Sequence, residues 1–166
     1  MKKEKINDLK GQELPRVKEA LRVWNNYHSR VRNDRNYSTV TICDEWYLFS
    51  NFYYWYIDNV VDGWHLDKDI LGGNEYSPDN CIFVPREVNQ LFREVPTSLS
   101  TGVVVNHKGY QAQAKFGKRV YKFGTYPTVE EAHAAYVAGR KSYIYKLSQK
   151  YKSYPKLSAV LLQKSK

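Results

Sequence analysis

The sequence predicts an α+β protein: N-terminal helices plus a ββα unit, then a three-stranded antiparallel sheet packed on one helix. Three observations lead there. Apolar residues recur at three- and four-residue steps over residues 14–32 and again from Thr128, as on the buried side of amphipathic helices. Short β-branched or aromatic runs bounded by Gly, Asn and Pro stand at residues 37–43, 64–71 and 81–84 and between residues 103 and 123, as short strands do. The charge is also uneven: residues 1–35 carry 10 Lys+Arg against 5 Asp+Glu, residues 36–100 carry 3 against 10, and residues 101–166 carry 13 against 2. Swings of this size between adjacent segments mark separate modules more often than differently solvated faces of one.

Each element has a local reason. Leu14, Val17, Leu21, Trp24 and Tyr27 or His28 line one side of a first helix, with Pro15 tolerable in its first turn. Residues 37–43 alternate and predict a strand. Asp44 is an N-cap candidate for a second helix, whose face Trp46, Phe49, Phe52 or Tyr53, and Trp55 or Tyr56 extend as far as about Val60. That aromatic stripe reads as core packing. A strand over Trp64–Leu71, a Gly72-Gly73-Asn74 turn, the tight turn Ser77–Asn80, a strand at Cys81–Val84 and a helix from Arg86 to Phe92 make a β, β, α series. Residues 96–102 are polar and turn-rich, a linker between expected domains at 1–95 and 103–166. Strands at Val103–Val105, Tyr110–Phe116 and Arg119–Phe123 follow. The last long helix opens on a Thr-Val-Glu-Glu capping box at Thr128 and puts Ala132, Ala135, Tyr136, Gly139, Tyr143 and Leu147 inward. Leu157–Leu162 can close as another helix or form a partner-binding surface, with packing favoured.

Composition narrows the function classes. In 166 residues the net charge is +9, which excludes acidic mimicry of nucleic acid and makes a polyanion the default partner. Hydrophobic residues make up 42% of the chain at a mean hydropathy of −0.66, enough for a core and too dispersed for a membrane span. Cys43 and Cys81 lack Cys-x-x-Cys spacing, so neither a disulfide framework nor a zinc knuckle is indicated and both read as buried reduced thiols. The charged stretch Met1–Leu14 has no signal-peptide pattern, and the expected location is cytoplasmic.

Residues 109–140 resemble the APETALA2-type DNA-binding domain, most specifically in Phe123-Gly124-Thr125-Tyr126 followed by Thr128, Glu130-Glu131-Ala132 and Ala135-Tyr136. The resemblance implies a three-stranded sheet lying in the major groove with a helix behind it. Strand alternation independently groups Gln111, Gln113 and Lys115 on one face, and Arg119 with Tyr121 on one face of the next strand. Gln pairs bidentately with adenine and Arg with guanine, while Lys118 and Lys122, with Lys108, suit phosphates.

Residues 24–92 resemble HNH-type proteins encoded by bacteriophages, through Cys43-Asp44-Glu45-Trp46, Leu66-Asp67-Lys68-Asp69 and Tyr76-Ser77-Pro78-Asp79-Asn80-Cys81. An HNH unit followed by an APETALA2-type domain is a recurrent pairing in phage homing endonucleases. The resemblance implies a single divalent metal, magnesium or manganese, held against a scissile phosphate while a histidine activates water. It places Asp67 and Asn89 at metal-ligand positions and Asn80 at the family's central asparagine, but Lys68 stands where the general-base histidine belongs. A protonated lysine can grip phosphate and is a poor base. An alternative centre is open: His65, Asp67 and Asp69 alternate on one strand face, where the two carboxylates can hold magnesium and His65 can act on water. The plainer reading has the carboxylates capping turns. The function expected is double-stranded DNA binding by a protein resembling a phage HNH homing endonuclease, with a metal-dependent nuclease site that either cuts DNA or is degenerate at the lysine. The alternatives are a non-catalytic regulator or inhibitor of a host nucleic-acid enzyme and, more distantly, an RNA-binding protein, since exposed tyrosines on a basic sheet also stack single-stranded bases.

Overall fold

The computed structural model describes residues 3–93, 97 and 99–166. The chain divides into two compact units, Met1–Pro85 and Arg86–Lys166. The division therefore falls at Pro85/Arg86 rather than at 95/96, and the helix expected to complete the ββα series belongs to the second unit. Pro96 and Ser98 of the expected linker lie outside the described residues. Its last residues join the sheet instead, since Gln113 N donates to the Gly102 carbonyl at 2.8 Å.

In the first unit, helix α1 (Val17–Asn33) buries Ala20, Trp24, Tyr27 and His28, so the apolar spacing forms the expected helix from Val17 on, while Leu14 and Pro15 precede it. The expected single helix from Asp44 to Val60 is instead a 3₁₀ turn (Asp44–Tyr47) followed by α2 (Phe49–Asn59). Leu48 between them is extended because the N-terminal segment pairs with it: Ile6 N donates to Tyr47 O at 2.8 Å, and Phe49 N to Ile6 O at 2.9 Å. Asp44 caps no helix and pairs with Lys3 at 2.5 Å. The strand expected over 37–43 shrinks to β1 (Thr41–Ile42), preceded by a 3₁₀ turn (Arg35–Tyr37) in which Asp34 accepts from Asn36 N, and β1 runs parallel to β3 (Glu75–Tyr76). β2 (His65–Asp67) pairs antiparallel with β4 (Ile82–Val84), His65 facing Val84 and Asp67 facing Ile82.

Aromatic side chains fill this unit. Trp24 Nε1 donates to the Trp46 carbonyl at 2.7 Å, and His28 Nε2 reaches the same oxygen at 3.1 Å, tying α1 to the break before α2. Tyr27 stacks on Tyr76 at 4.7 Å, and Trp46 meets Phe52 edge-on at 5.0 Å. Cys81 is buried and Cys43 is half-buried, and neither is in a disulfide. The Tyr27 hydroxyl is buried with no hydrogen-bond partner among the described residues.

In the second unit, β5 (Val103–Asn106), β6 (Gly109–Phe116) and β7 (Arg119–Tyr126) form an antiparallel sheet in that order. It packs against α4 (Val129–Lys150), as the sequence predicts. Thr128 caps α4, its hydroxyl accepting from Glu131 N at 3.2 Å. Ala132 sits in the sheet–helix core with Phe123, Tyr126, Ala135 and Tyr136, and Phe116 stacks on Tyr143 at 4.0 Å. Gly139 lets α4 approach closely, because a Cβ there would stand 2.4 Å from the Phe123 ring. α5 (Pro155–Lys164) closes the far end of α4, with Leu157 and Leu161 buried and Ser158 Oγ donating to Ser148 O at 2.9 Å. Packing is thus the role of Leu157 and Leu161. α3 (Arg86–Leu91) is held in the same unit: Glu87 accepts hydrogen bonds from Lys150 and Tyr151, and Arg140 Nη2 donates to Leu91 O at 3.1 Å. Burial pulls the Glu87 carboxyl upward, but these donors outweigh it and hold the group below the usual carboxylate range.

Replacing Thr128 with Ala removes the α4 cap and is expected to destabilise the protein by about 1 kcal/mol in denaturant titration. Tyr27→Phe deletes an unsatisfied buried hydroxyl while keeping the stacked ring, so thermal unfolding is expected at the same or a higher temperature, with a gain of up to about 1 kcal/mol.

Candidate nucleic-acid interface

The side of the sheet turned away from α4 is set by strand register. Ala112 and Phe116 are buried toward the helix, so Gln111, Gln113 and Lys115 point the other way. Their cross-strand partners share that face: Thr125 stands opposite Gln111, Lys122 opposite Gln113 and Val120 opposite Lys115, while Val104 of β5 also faces Gln111. The register slips by one residue between Ala112 and Gln113, leaving Phe123 as the extra residue of a β-bulge. Without the slip, simple alternation along β7 would carry Thr125 and Lys122 to opposite faces. The bulge puts both outward and turns Phe123 in, toward Gly139 of α4.

Two residues singled out from the sequence lie elsewhere. Tyr121 stands opposite Ala114 on the helix side, 5.3 Å from the Phe116 ring and 5.6 Å from Tyr143, so it is core-facing rather than a base-contacting group. Arg119, opposite Phe116, starts β7 on that same side and is exposed. Lys118 is exposed in the β6–β7 turn and Lys108 in the β5–β6 turn, both at the rim of the sheet. Lys122, expected to suit phosphates, stands on the outward face opposite Gln113. Val104, Val120 and Thr125 belong to that face and were not singled out. The signal for Thr125 and Lys122 was Gly124 after an aromatic residue, the kind of step at which a strand accommodates a bulge.

No acidic residue occurs between Glu94 and Glu130, so the whole sheet lacks carboxylates and carries Lys108, Lys115, Lys118, Arg119 and Lys122. The second unit as a whole holds 15 Lys+Arg against 4 Asp+Glu.

In the first unit, the residues matched to the HNH pattern are engaged in building a turn. Asp67 Oδ1 accepts from Asp69 N at 2.9 Å and from Ile70 N at 2.7 Å. This turn ends β2 at Asp67, so the expected strand to Leu71 does not form and Asp69 does not share a strand face with His65 and Asp67. Burial pushes the Asp67 carboxyl above its usual range, although the two N–H donors oppose that shift. Lys68 is 6% exposed, pairs with Asp69 and lies 5.5 Å from the Tyr37 ring, so it faces inward rather than toward a phosphate in solution. Asn80 donates through one nitrogen to Lys68 O at 3.0 Å and to Glu75 O at 2.8 Å, clamping the two sides of the loop. Gly73 leaves the room for this, since a Cβ at that position would sit 2.0 Å from Asn80 Oδ1. His65 is exposed on β2, and Asn89 is exposed on α3 of the second unit. Among the described residues, no group of three or more His, Cys, Asp and Glu is gathered so as to hold a metal ion.

No helix among the described residues is long and apolar enough to cross a membrane. Comparison of the chain with protein-family models, with curated proteins and with solved structures found no match.

The clamp by Asn80 can be tested directly. Asn80→Ala leaves two partly buried carbonyls without their donor and is expected to lower stability by about 1–3 kcal/mol in thermal or urea unfolding. Asp67→Asn keeps an acceptor oxygen for both backbone amides and is expected to unfold near the unaltered protein, whereas Asp67→Ala is expected to follow Asn80→Ala.

Proposed function

We propose that the chain is a double-stranded DNA-binding protein whose second unit reads the major groove with the outward face of the β5–β7 sheet. The observation that carries this is the make-up of that face: Gln111, Gln113, Lys115 and Lys122 stand together through the bulged register, on a sheet free of carboxylates. A major groove about 12 Å wide admits strands, and glutamine matches the donor–acceptor pair on the edge of adenine. Lys108 and Lys118 at the turns suit the flanking phosphates, which set affinity rather than sequence choice. The 22-residue α4 packs behind the sheet and α5 packs on α4, so the face is backed by a folded layer rather than by loops.

The same reading treats the HNH-like hairpin as a scaffold. Asp67, Lys68 and Asn80 stand at the positions that an HNH-type nuclease would use, and each is engaged within the 67–80 loop. Magnesium or manganese would meet Asp67 through a carboxylate oxygen that the loop leaves unpaired, but Lys68 beside it supplies a cation where water activation needs a base. Regulation by occupancy of a DNA site fits this chemistry better than strand cleavage.

Selection of bound duplexes from a random pool, followed by anisotropy titrations over a salt series, tests the reading. Gln113→Ala is expected to reduce the preference for selected over scrambled duplex by about tenfold. Lys118→Ala is expected to weaken both duplexes equally and make the salt slope shallower by about one unit. Arg119→Ala, on the other side of the sheet, is expected to leave sequence preference unchanged. Binding of single-stranded RNA in preference to duplex DNA overturns the assignment. Nicking of plasmid in magnesium or manganese that Asp67→Ala abolishes would overturn the scaffold role of the hairpin.

A further inference from the structure

The first unit carries a cationic cleft that the sheet does not explain. About 600 Å³ of space lies between the N-terminal segment and the C-terminal half of α1, lined by Lys3, Lys5, His28, Ser29, Arg32 and Tyr47. One carboxylate, Glu4, also lines it, and Lys3 is paired with Asp44 outside the lining, so cations outnumber acids within it. Lys5 is fixed in place: its Nζ donates to Asn25 Oδ1 at 2.5 Å and sits 4.7 Å from the centre of the Trp24 ring. Arg32 makes no ion pair among the described residues. Partial burial, and then the nearby positive charge of Arg32, lower the proton affinity of Lys5, which shows two cations held within each other's field. Two like charges lining one cleft repel, and an anion between them turns that repulsion into attraction.

The floor favours a phosphate group. Ser29 lies about one turn before Arg32 and about one turn after Asn25, and its hydroxyl accepts from Asn33 Nδ2 at 3.2 Å. His28 is pushed down to about 4, chiefly by burial, so at neutral pH it is uncharged and adds no cation. Its Nε2 is already directed to the Trp46 carbonyl. Beyond the cleft, the exposed face of α1 continues with Lys18, Arg22, Asn25 and Asn26 at helical spacing, a run of cationic and amide groups along the helix. A free small anion would use the cleft alone, whereas a phosphodiester backbone also meets the rest of this stripe.

We infer that the cleft seats a backbone phosphate of duplex DNA, giving the first unit a sequence-indifferent grip that adds to reading by the sheet. The inference rests on the DNA-binding reading above but concerns separate residues. Two linked contacts raise overall affinity by confining the second to a high local concentration after the first has formed.

The test uses the full chain with Lys5→Ala and Arg32→Ala combined, and Arg32→Lys as the charge-preserving control. The double variant is expected to give a salt slope shallower by about one unit and an equal loss of affinity for selected and scrambled duplexes, while Arg32→Lys retains the slope. If the double variant loses its fold, Arg32→Ala alone, at an exposed position, carries the test with a change of the slope in the same direction. Duplex binding with an unchanged slope in these variants overturns this inference and leaves the sheet reading intact. A preference change confined to Gln113→Ala, alongside the slope change here, supports both. Thermal stabilisation by inorganic phosphate that the double variant loses, without any change in DNA binding, assigns the cleft to a free phosphate compound and overturns the backbone contact. Absence of duplex binding by the unaltered chain overturns the proposed function and this inference together.

Discussion

The one-residue slip between β6 and β7 is the constraint on which the second unit depends. With Phe123 as the extra residue, the strand keeps two inward aromatic positions, Phe123 and Tyr121, while Lys122 between them and Thr125 beyond them point outward. A regular strand cannot do both, because period-two alternation would trade an aromatic anchor for a polar group on one face or the other. Phe123 packs against the bare helix backbone at Gly139, which seats α4 close to the sheet, and Phe116 and Tyr121 meet Tyr143 further along. The outward row of amide and ammonium groups is therefore a by-product of how the sheet meets its helix.

A comparable economy of roles operates in the first unit. The Trp46 carbonyl receives both Trp24 Nε1 and His28 Nε2, so a single oxygen anchors two residues of α1 next to the break between the 3₁₀ turn and α2. Ile6 stabilises that break by pairing with Leu48, which brings Lys3 and Lys5 alongside α1 and forms the cationic cleft. In the 67–80 loop, Asp67 and Asn80 satisfy four backbone groups between them. A loop with few apolar side chains holds its shape through such bonds, because unsatisfied backbone groups would cost more than the bonds contribute. Residues that resemble a catalytic set are in this chain the loop's internal framework.

The electrostatic pattern joins the two units chemically. Uneven charge along the chain concentrates cations on the second unit and on α1, and acids in the intervening segment. Phosphate contacts govern affinity and its salt dependence, and groove contacts govern choice of sequence. Under the proposed function those two tasks fall on different residues: α1 and the turn lysines for the first, Gln111 and Gln113 with their neighbours for the second.

Much of the architecture was legible in the sequence. The apolar spacing of α1, the Thr128 cap and inner face of α4, and the three strands of the sheet all appear where local pattern puts them, because each depends on residues within a few positions of one another. So did the packing role of the aromatic stripe in 46–56. What local pattern did not reveal depends on partners distant in the chain. Leu48 is extended because Ile6 pairs with it, β2 stops at Asp67 because that side chain captures two amides, and α3 joins the second unit because Lys150, Tyr151 and Arg140 hold it there. The same holds for the candidate interface. The sequence by itself determined that the chain is basic, that its cations gather toward the C-terminus and that glutamines alternate on one strand. Only the tertiary structure decided that Lys122 shares their face and Tyr121 does not, since a bulge is a property of two paired strands and is absent from either strand alone.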